Sequence, residues 1–315
     1  MRALRIVFMG TPDFAVPTLD ALLREGYEVV GVITAPDKPA GRGRKLHESA
    51  VKRYARDKGL TLLQPTNLKD PDFQRELASL KANLQIVVAF RMLPRAVWEM
   101  PEYGTVNLHA SLLPQYRGAA PINWAIINGE TETGVTTFYI NERIDTGEII
   151  LQEKTSIDPD ENAGLLHDRL MQLGAGLILK TVELIAKGEV KPVIQSESAE
   201  LKAAPKIHRD TCKIDWTEPG QKIFNKIRGL SPYPASWSNL YNPDKAVVLK
   251  VYQATFREED HGLEPGKLVL TNNELKVAVA DGFILLQKIQ VSGKKKMSVK
   301  EFLNGHQIHN LAKLG

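Results

Sequence analysis

The sequence contains a single cysteine, Cys212, which excludes an intramolecular disulfide framework and a cysteine-based zinc site. It also lacks any apolar run long enough for a transmembrane helix. Its first residues lead directly into a strand pattern rather than into the apolar stretch of a secretion signal. We therefore expect a cytoplasmic protein with no membrane contact and no bound metal.

An excess of charge of one sign is also missing, since 41 lysines and arginines nearly balance 37 aspartates and glutamates. With a net charge of only +4, local basic clusters matter more than the average, and two occur at residues 42–45 and 294–296. The 315 residues, 43% of them hydrophobic, are enough for two domains with separate cores.

Short apolar runs alternate with helical patterns in the first half of the chain. Strand patterns cover residues 5–10, 29–34, 61–63, 84–90, 105–110 and 135–140, and helical patterns cover residues 14–24, 48–58, 71–81 and 121–128. This alternation predicts an α/β fold with a doubly wound, mostly parallel, Rossmann-like sheet. Leucines at helical spacing predict a long helix over residues 161–187 that packs on this sheet.

The pattern becomes polar and aperiodic after residue 188. A helical pattern at residues 220–229 then precedes short strand patterns at residues 247–255, 267–270, 275–280 and 283–291. Short strands with tight turns predict a small β-barrel of the oligonucleotide-binding (OB-like) type. We thus predict an α/β domain at residues 1–189, a linker at 190–207 and a C-terminal barrel domain at 208–315.

The most informative segment begins with the strand pattern at residues 105–110. Because alternate residues of a strand share a face, Asn107 and His109 should point to the same side. They would lie at the carboxyl end of a parallel strand, where open α/β sheets bind their ligands. Taken alone, however, an asparagine and a histidine at this spacing are more often buried polar groups with purely structural partners.

Residues 107–122 read Asn-Leu-His-Ala-Ser-Leu-Leu-Pro-Gln-Tyr-Arg-Gly-Ala-Ala-Pro-Ile and resemble the signature of the 10-formyltetrahydrofolate-dependent formyltransferases. Sites of that family combine an asparagine and a histidine with a downstream aspartate, which matches Asp145 here. By itself, Asp145-Thr146-Gly147 is typical of a turn. An aspartic protease would need an all-β body and a second carboxylate. The resemblance implies the formyltransferase fold and catalytic roles for Asn107, His109 and Asp145.

These residue types suit formyl transfer to an amine, which passes through a tetrahedral centre whose oxygen carries negative charge. A fixed amide such as Asn107 can donate to that oxygen, and losing such a donor typically costs about 3 kcal/mol. A protonated His109 can donate to the same oxygen while Asp145 holds the imidazolium. A water near Asp145 can carry the proton of the attacking amine to the departing folate nitrogen.

The resemblance also implies a pocket for 10-formyltetrahydrofolate, the formyl donor, beside these side chains. The residues implied to line this pocket are Phe90, Arg91, Leu93, Ser111, Leu112, Leu113, Pro114 and Asn141. Around Phe90 and Arg91 the sequence departs from the tyrosine and glycine common in the family. An ordinary buried strand and turn is therefore an alternative interpretation for Arg91.

Residues 36–46 form a connection that is longer and more basic than a minimal one. Taken alone, a charge cluster in a loop is usually solvated surface. Next to a formyl-transfer site it resembles the inserted loop with which those family members that formylate methionyl-tRNA bind the acceptor stem. Arg42 lies where a bidentate contact to a phosphate or a base edge is expected. The cations predicted to bind tRNA are Lys38, Arg42, Arg44, Lys45, Lys294, Lys295 and Lys296.

Residues 214–216, 227–237 and 293–297 resemble the C-terminal domain of the same branch, so the resemblance spans nearly the whole chain. It implies a monomer that acts on initiator Met-tRNA in translation initiation. Trp216, Tyr233 and Trp237 are expected in the core rather than as stacking platforms for bases. A hydrolase or an amino-sugar formyltransferase would share the three polar residues but lack the basic loop. An inactive RNA-binding protein would not need the three polar residues.

Overall fold

A computed structural model describes residues 2–40, 45–197, 200–243, 245–271 and 274–315. The helices are, in chain order, α1 (Val16–Arg24), α2 (Ala50–Asp57), α3 (Pro71–Ser79), α4 (Arg95–Trp98), α5 (Pro121–Ile127), α6 (Ala163–Lys187), α7 (Gly220–Gly229) and α8 (Val299–Gly305). The strands are β1 (Arg5–Gly10), β2 (Glu28–Ile33), β3 (Lys38–Ala40), β4 (Lys45–His47), β5 (Leu62–Leu63), β6 (Leu84–Val88), β7 (Thr105–His109), β8 (Arg117–Gly118), β9 (Glu132–Tyr139), β10 (Ile149–Ser156), β11 (Ala203–Ala204), β12 (Ser236–Asn242), β13 (Lys245–Glu258), β14 (Leu268–Thr271), β15 (Glu274–Val279), β16 (Gly282–Val291), β17 (Met297–Ser298) and β18 (Lys313–Leu314).

The chain divides into two compact units, and it passes between them more than once. The first unit comprises Met1–Gly118, Thr133–Thr155 and His167–Ala203, and the second comprises Ala119–Glu132, Ser156–Leu166 and Ala204–Gly315. Among the helices of the described residues, none is long and apolar enough to cross a membrane.

The first unit is built on a sheet with the strand order β10-β9-β7-β6-β1-β2-β5. Neighbouring strands from β5 to β7 run parallel, whereas β9 pairs antiparallel with β7. In β1, Ile6, Val7, Phe8 and Met9 are fully buried, as expected for a central strand covered on both faces. The predicted α/β class with a mostly parallel sheet is therefore confirmed.

The long helix α6 covers one face of this sheet and decides which side of β7 is free. Gly174 of α6 lies so near Leu108 that an added β-carbon would stand 2.6 Å from Leu108 Cδ2. Leu108 therefore faces the helix. Because strand residues alternate, Asn107 and His109 face the opposite side of the sheet.

The second unit is a curled sheet with the order β14-β15-β16-β13-β12-β18, and β17 pairs with β16. These pairings are antiparallel. The last residues join the two edges, because Leu314 pairs with Leu240 of β12 while Lys313 bridges to Lys267 just before β14. The sheet thus curls into a small barrel, which confirms the predicted C-terminal architecture.

Some expectations from the sequence were incomplete or wrong. The strands β3, β4, β8, β10, β11, β12, β17 and β18 were not predicted. In β12 the inward positions carry Ser236 and Ser238, both fully buried, and Ser238 Oγ accepts a hydrogen bond of 2.9 Å from the indole of Trp216. Serines in core positions remove the hydrophobic alternation that marks a strand. Trp216 is buried as expected, but the core position expected for Tyr233 is wrong, because this side chain is 82% exposed.

Candidate active site

His109 is the buried centre of a polar group at the carboxyl end of β7. Its Nε2 lies 2.8 Å from the carbonyl oxygen of Tyr116, and its Nδ1 lies 3.8 Å from Oδ2 of Asp145. A carbonyl oxygen only accepts hydrogen bonds, so Nε2 carries a proton in this arrangement. Nδ1 makes no hydrogen bond within the described part of the chain. Nδ1 is therefore the ring nitrogen that can gain a proton and offer it to a ligand.

Asp145 is held in a defined direction beside this ring. Its Oδ2 accepts a hydrogen bond of 2.9 Å from the backbone N–H of Gly118. Its backbone has a φ of 54°, in the left-handed region that aspartate tolerates better than most residues. The carboxylate is mostly buried, with 13% of the side chain exposed. The structure thus brings His109 and Asp145 together through contacts between segments distant in the chain.

The loop that carries Asp145 is closed by its own polar side chains. Oδ1 of Asn141 accepts hydrogen bonds of 3.0 Å from the backbone N–H of Arg143 and of 3.0 Å from the hydroxyl of Thr146. This is the turn that the Asp-Thr-Gly sequence is typical of. Residues 145–147 therefore form a turn and also carry the candidate catalytic carboxylate. The amide oxygen of Asn141 is occupied by hydrogen bonds within this loop.

Asn107 lies in the middle of β7, between Val87 of β6 and Phe138 of β9 in the backbone pairing. It is half-buried, and its side chain makes no hydrogen bond with the described residues. Two positions before His109 on the same face of the sheet, it offers an amide with free donors. The structure thus places an amide and an imidazole on one face of β7, with a carboxylate beside the imidazole.

Side chains of β9 and β10 hold the segment that follows β7 by hydrogen bonds to its backbone. The hydroxyl of Thr136 donates to the carbonyl of Ser111 at 2.6 Å and accepts from the N–H of Leu113 at 3.1 Å. Gln152 Nε2 donates to the carbonyl of Leu113 at 2.8 Å. Ser111 and Leu113 are buried, whereas Leu112 and Pro114 are half-buried. Among these four residues predicted to line the folate pocket, Leu112 and Pro114 are therefore the more accessible.

Arg91 follows β6 and ties two loops together. Its guanidinium lies 5.5 Å from the ring of Phe90 and donates to the carbonyl oxygens of Thr66, at 3.0 Å, and Pro65. Burial lowers the pKa of this guanidinium. Its Nε is buried without a partner within the described residues. Leu93, two residues on, is buried.

Two cavities of the first unit meet at Arg91. One, of about 400 Å³, is bordered by Thr11, Asp37 and Lys38 at the carboxyl ends of β1 and β2. The other, of about 450 Å³, extends along residues 91–95 to Glu142. Both volumes fall in the range of small-molecule sites. Arg91 therefore separates two spaces large enough for parts of a ligand.

The predicted tRNA-binding cations lie in several places. Lys38 is exposed at the border of the first cavity. Arg42 and Arg44 lie outside the described residues, and Lys45 belongs to β4, which pairs antiparallel with β3. Lys294, Lys295 and Lys296 are exposed in the second unit, where Lys296 Nζ stands 3.8 Å above the ring of Tyr252.

Sequence reasoning missed one buried polar residue of the site, Gln195. It falls in the segment predicted as a linker, and its side chain contacts both Arg117 and the backbone of Asp145. Arg117 belongs to the signature segment, but no role was assigned to it. No local pattern marks Gln195, because its bonds depend on chain segments brought together only by folding.

Comparisons with known proteins show the family of the chain. Residues 4–182 match the family described as formyl transferase, and residues 206–307 match the formyl transferase C-terminal domain. A methionyl-tRNA formyltransferase of Flavobacterium johnsoniae is 57% identical over 100% of both chains. One of Bacteroides fragilis is 54% identical over 99% of this chain and 98% of its own.

A solved structure of the sugar 3N-formyl transferase WlaRD, at 21% identity, covers 94% of this chain and 100% of its own with a TM-score of 0.66, which shows the shared fold. From the family matches and the close relatives, the chain belongs to the methionyl-tRNA formyltransferase family of formyl transferases. The resemblance inferred from residues 107–122 is thereby confirmed.

Proposed function

We propose that the chain transfers the formyl group of 10-formyltetrahydrofolate to the α-amino group of methionine on initiator Met-tRNA, giving formylmethionyl-tRNA for translation initiation. The observation that carries the proposal is the pairing of His109 with Asp145 beside Asn107, at the carboxyl end of β7. Open α/β sheets bind their ligands at this edge.

The reaction forms a bond between the methionine nitrogen and the formyl carbon and breaks the bond between that carbon and N10 of the folate. In between, the formyl oxygen carries negative charge. The amide N–H groups of Asn107 make no hydrogen bond with the described residues and can donate to this oxygen, and a protonated Nδ1 of His109 adds another donor. Donors fixed in this way stabilise the transition state more than the substrate.

Asp145 supports the charge on His109 without removing its proton. The 3.8 Å between Nδ1 and Oδ2 is longer than a hydrogen bond but short enough for ionic attraction. The Nδ1 proton is therefore left for the formyl oxygen. The attacking amine must also lose a proton, and N10 must gain one. A water bound to the carboxylate of Asp145 can carry this proton from the amine to N10.

The two substrates are proposed to bind to different sets of residues. The pterin would lie against Phe90, Arg91, Leu93, Asn141 and the segment from Ser111 to Pro114, since these residues border the loops beside β6 and β7. Backbone phosphates of the tRNA would be held by Lys38, Arg42, Arg44, Lys45 and residues 294–296. No metal is part of the proposal.

A turnover assay with labelled 10-formyltetrahydrofolate tests the proposal when Met-tRNA, uncharged tRNA, an amino-sugar nucleotide and water compete as acceptors. We expect the label on Met-tRNA. Release of labelled formate, or label on the sugar, would assign the same site to a hydrolase or to a sugar formyltransferase.

A further inference from the structure

Gln195 lies in the polar segment between α6 and β11, yet only 6% of it is exposed. Its carboxamide oxygen accepts two hydrogen bonds from Arg117, 3.0 Å from Nε and 2.6 Å from Nη2. Its carboxamide nitrogen donates two more, 2.9 Å to the carbonyl oxygen of Asp145 and 2.8 Å to that of Gly147. Two donors and two acceptor positions are the full capacity of a primary amide, so this side chain is saturated.

The partners of Gln195 belong to the two segments that fix Asp145. The backbone of residues 145–147 carries the carboxylate. Gly118, next to Arg117, donates its N–H to that carboxylate at 2.9 Å. Asp145 also holds a φ of 54°, a conformation that persists in a non-glycine residue when its surroundings determine it. One amide thus joins the segment that carries the carboxylate to the segment that orients it.

We propose that Gln195 is a positioning residue for formyl transfer, which holds Asp145 at its distance from His109 without touching the substrate. The inference rests on the proposed function and adds to it a residue from outside the family signature. Gln195 acts through Asp145, because its bonds reach the backbone of Asp145 and the neighbour of Gly118 rather than the imidazole.

Gln195→Glu is the sharpest variant. The new carboxylate has nearly the same shape and still accepts the hydrogen bonds of Arg117. It has no N–H, however, so it cannot donate to the carbonyl groups of Asp145 and Gly147. We expect kcat to fall by about tenfold or more, with KM for both substrates within about twofold of wild type. Gln195→Met, which is uncharged and of similar length, gives the same test should the carboxylate prevent folding.

Gln74→Glu is the matched control. The Nε2 of Gln74 also donates to a backbone carbonyl, that of Leu68 at 3.2 Å, but from α3 and to a segment that carries neither His109 nor Asp145. The same loss of an N–H donor at Gln74 should leave kcat at the wild-type value.

A double-mutant cycle separates positioning from general support of the fold. If Gln195 acts through Asp145, then Gln195→Glu lowers kcat in the wild-type chain but changes it little in an Asp145→Ala chain. Equal factors in both backgrounds, or a wild-type kcat for Gln195→Glu, would overturn the inference. If the wild-type protein does not formylate Met-tRNA, the proposed function itself fails. If the wild-type protein formylates Met-tRNA normally and the Gln195 variants have the same kcat, only the proposed role of Gln195 is refuted.

Discussion

Gly147 lies against Tyr139 so closely that a β-carbon on Gly147 would stand 1.6 Å from the carbonyl oxygen of Tyr139. The two backbone segments are also joined by a hydrogen bond of 2.9 Å from the N–H of Tyr139 to the carbonyl of Glu148. These contacts hold together the two ends of the loop that carries Asp145. Only glycine fits at position 147, because there is no room for a β-carbon beside Tyr139. The contact between the two residues links the position of Asp145 to the end of β9.

The variant Gly147→Ala is expected to lower kcat by about tenfold or more, because the clash is with backbone and can be relieved only by moving the loop that holds Asp145. Steady-state kinetics with Met-tRNA measure the effect. Gly176→Ala is the control: it adds the same methyl group on α6, where no atom of the described residues lies within 4 Å of the added carbon, apart from the neighbouring helix backbone. This control should keep its activity and gain about 0.5–1 kcal/mol of stability, as alanine does in helices. A fully active Gly147→Ala protein would show that the loop position is unimportant.

Asp145→Asn tests the charge of the carboxylate separately from its hydrogen bond. The amide oxygen still accepts from the N–H of Gly118, and asparagine also tolerates a positive φ. The attraction to a protonated His109 is lost, so we expect kcat to fall by about tenfold or more with an unchanged melting temperature.

The exposed pair of His167 and Asp168 supplies the control for this variant. His167 Nδ1 lies 3.0 Å from Asp168 Oδ1, and 73% of the aspartate side chain is exposed. Asp168→Asn makes the same chemical change in a solvated pair and should leave kcat unaltered. Equal kcat values for Asp145→Asn and wild type would mean that the negative charge has no part in the reaction.

The sequence predicts those parts of the fold and site that depend on local pattern. Strand alternation alone places Asn107 and His109 on one face, and apolar runs locate the parallel strands. From Leu151 onward the edge strand β10 alternates half-buried and exposed side chains, and the half-buried ones include the charged Glu153, so the strand carries a weaker hydrophobic signal. Gln195 could not be predicted, because the three partners of its four hydrogen bonds come from two other segments that meet only in the folded chain.

Binding to tRNA should depend on the cations of two clusters. Arg42→Ala and Lys296→Ala are each expected to raise KM for Met-tRNA. Each should also lower the slope of log affinity against log salt by about 0.7 to 0.9, the value for one lost phosphate contact. Lys180→Ala is the control, since Lys180 pairs with Glu153 at 2.8 Å on the first unit and its loss changes the net charge equally. If a variant keeps the salt slope of the wild type, the tested cation does not contact a tRNA phosphate.

Cys212 should behave as an inert thiol in the folded protein. It is 3% exposed, and burial raises the pKa of this thiol despite the lowering influence of Lys226 and Lys250. Little thiolate is therefore present at neutral pH. Labelling with a chromogenic disulfide should be slow in buffer and rapid in denaturant, and the signal is unambiguous because the chain has one cysteine. Rapid labelling of the native protein would contradict this burial.

The rate of a single turnover at saturating 10-formyltetrahydrofolate and Met-tRNA tests the central claim most directly, when wild type is compared with Asn107→Ala and His109→Ala. Loss of one such hydrogen-bond donor predicts a rate about 100-fold lower or more in each variant, while both substrates still bind. Variants that transfer the formyl group at the wild-type rate would show that the reaction takes place without these side chains.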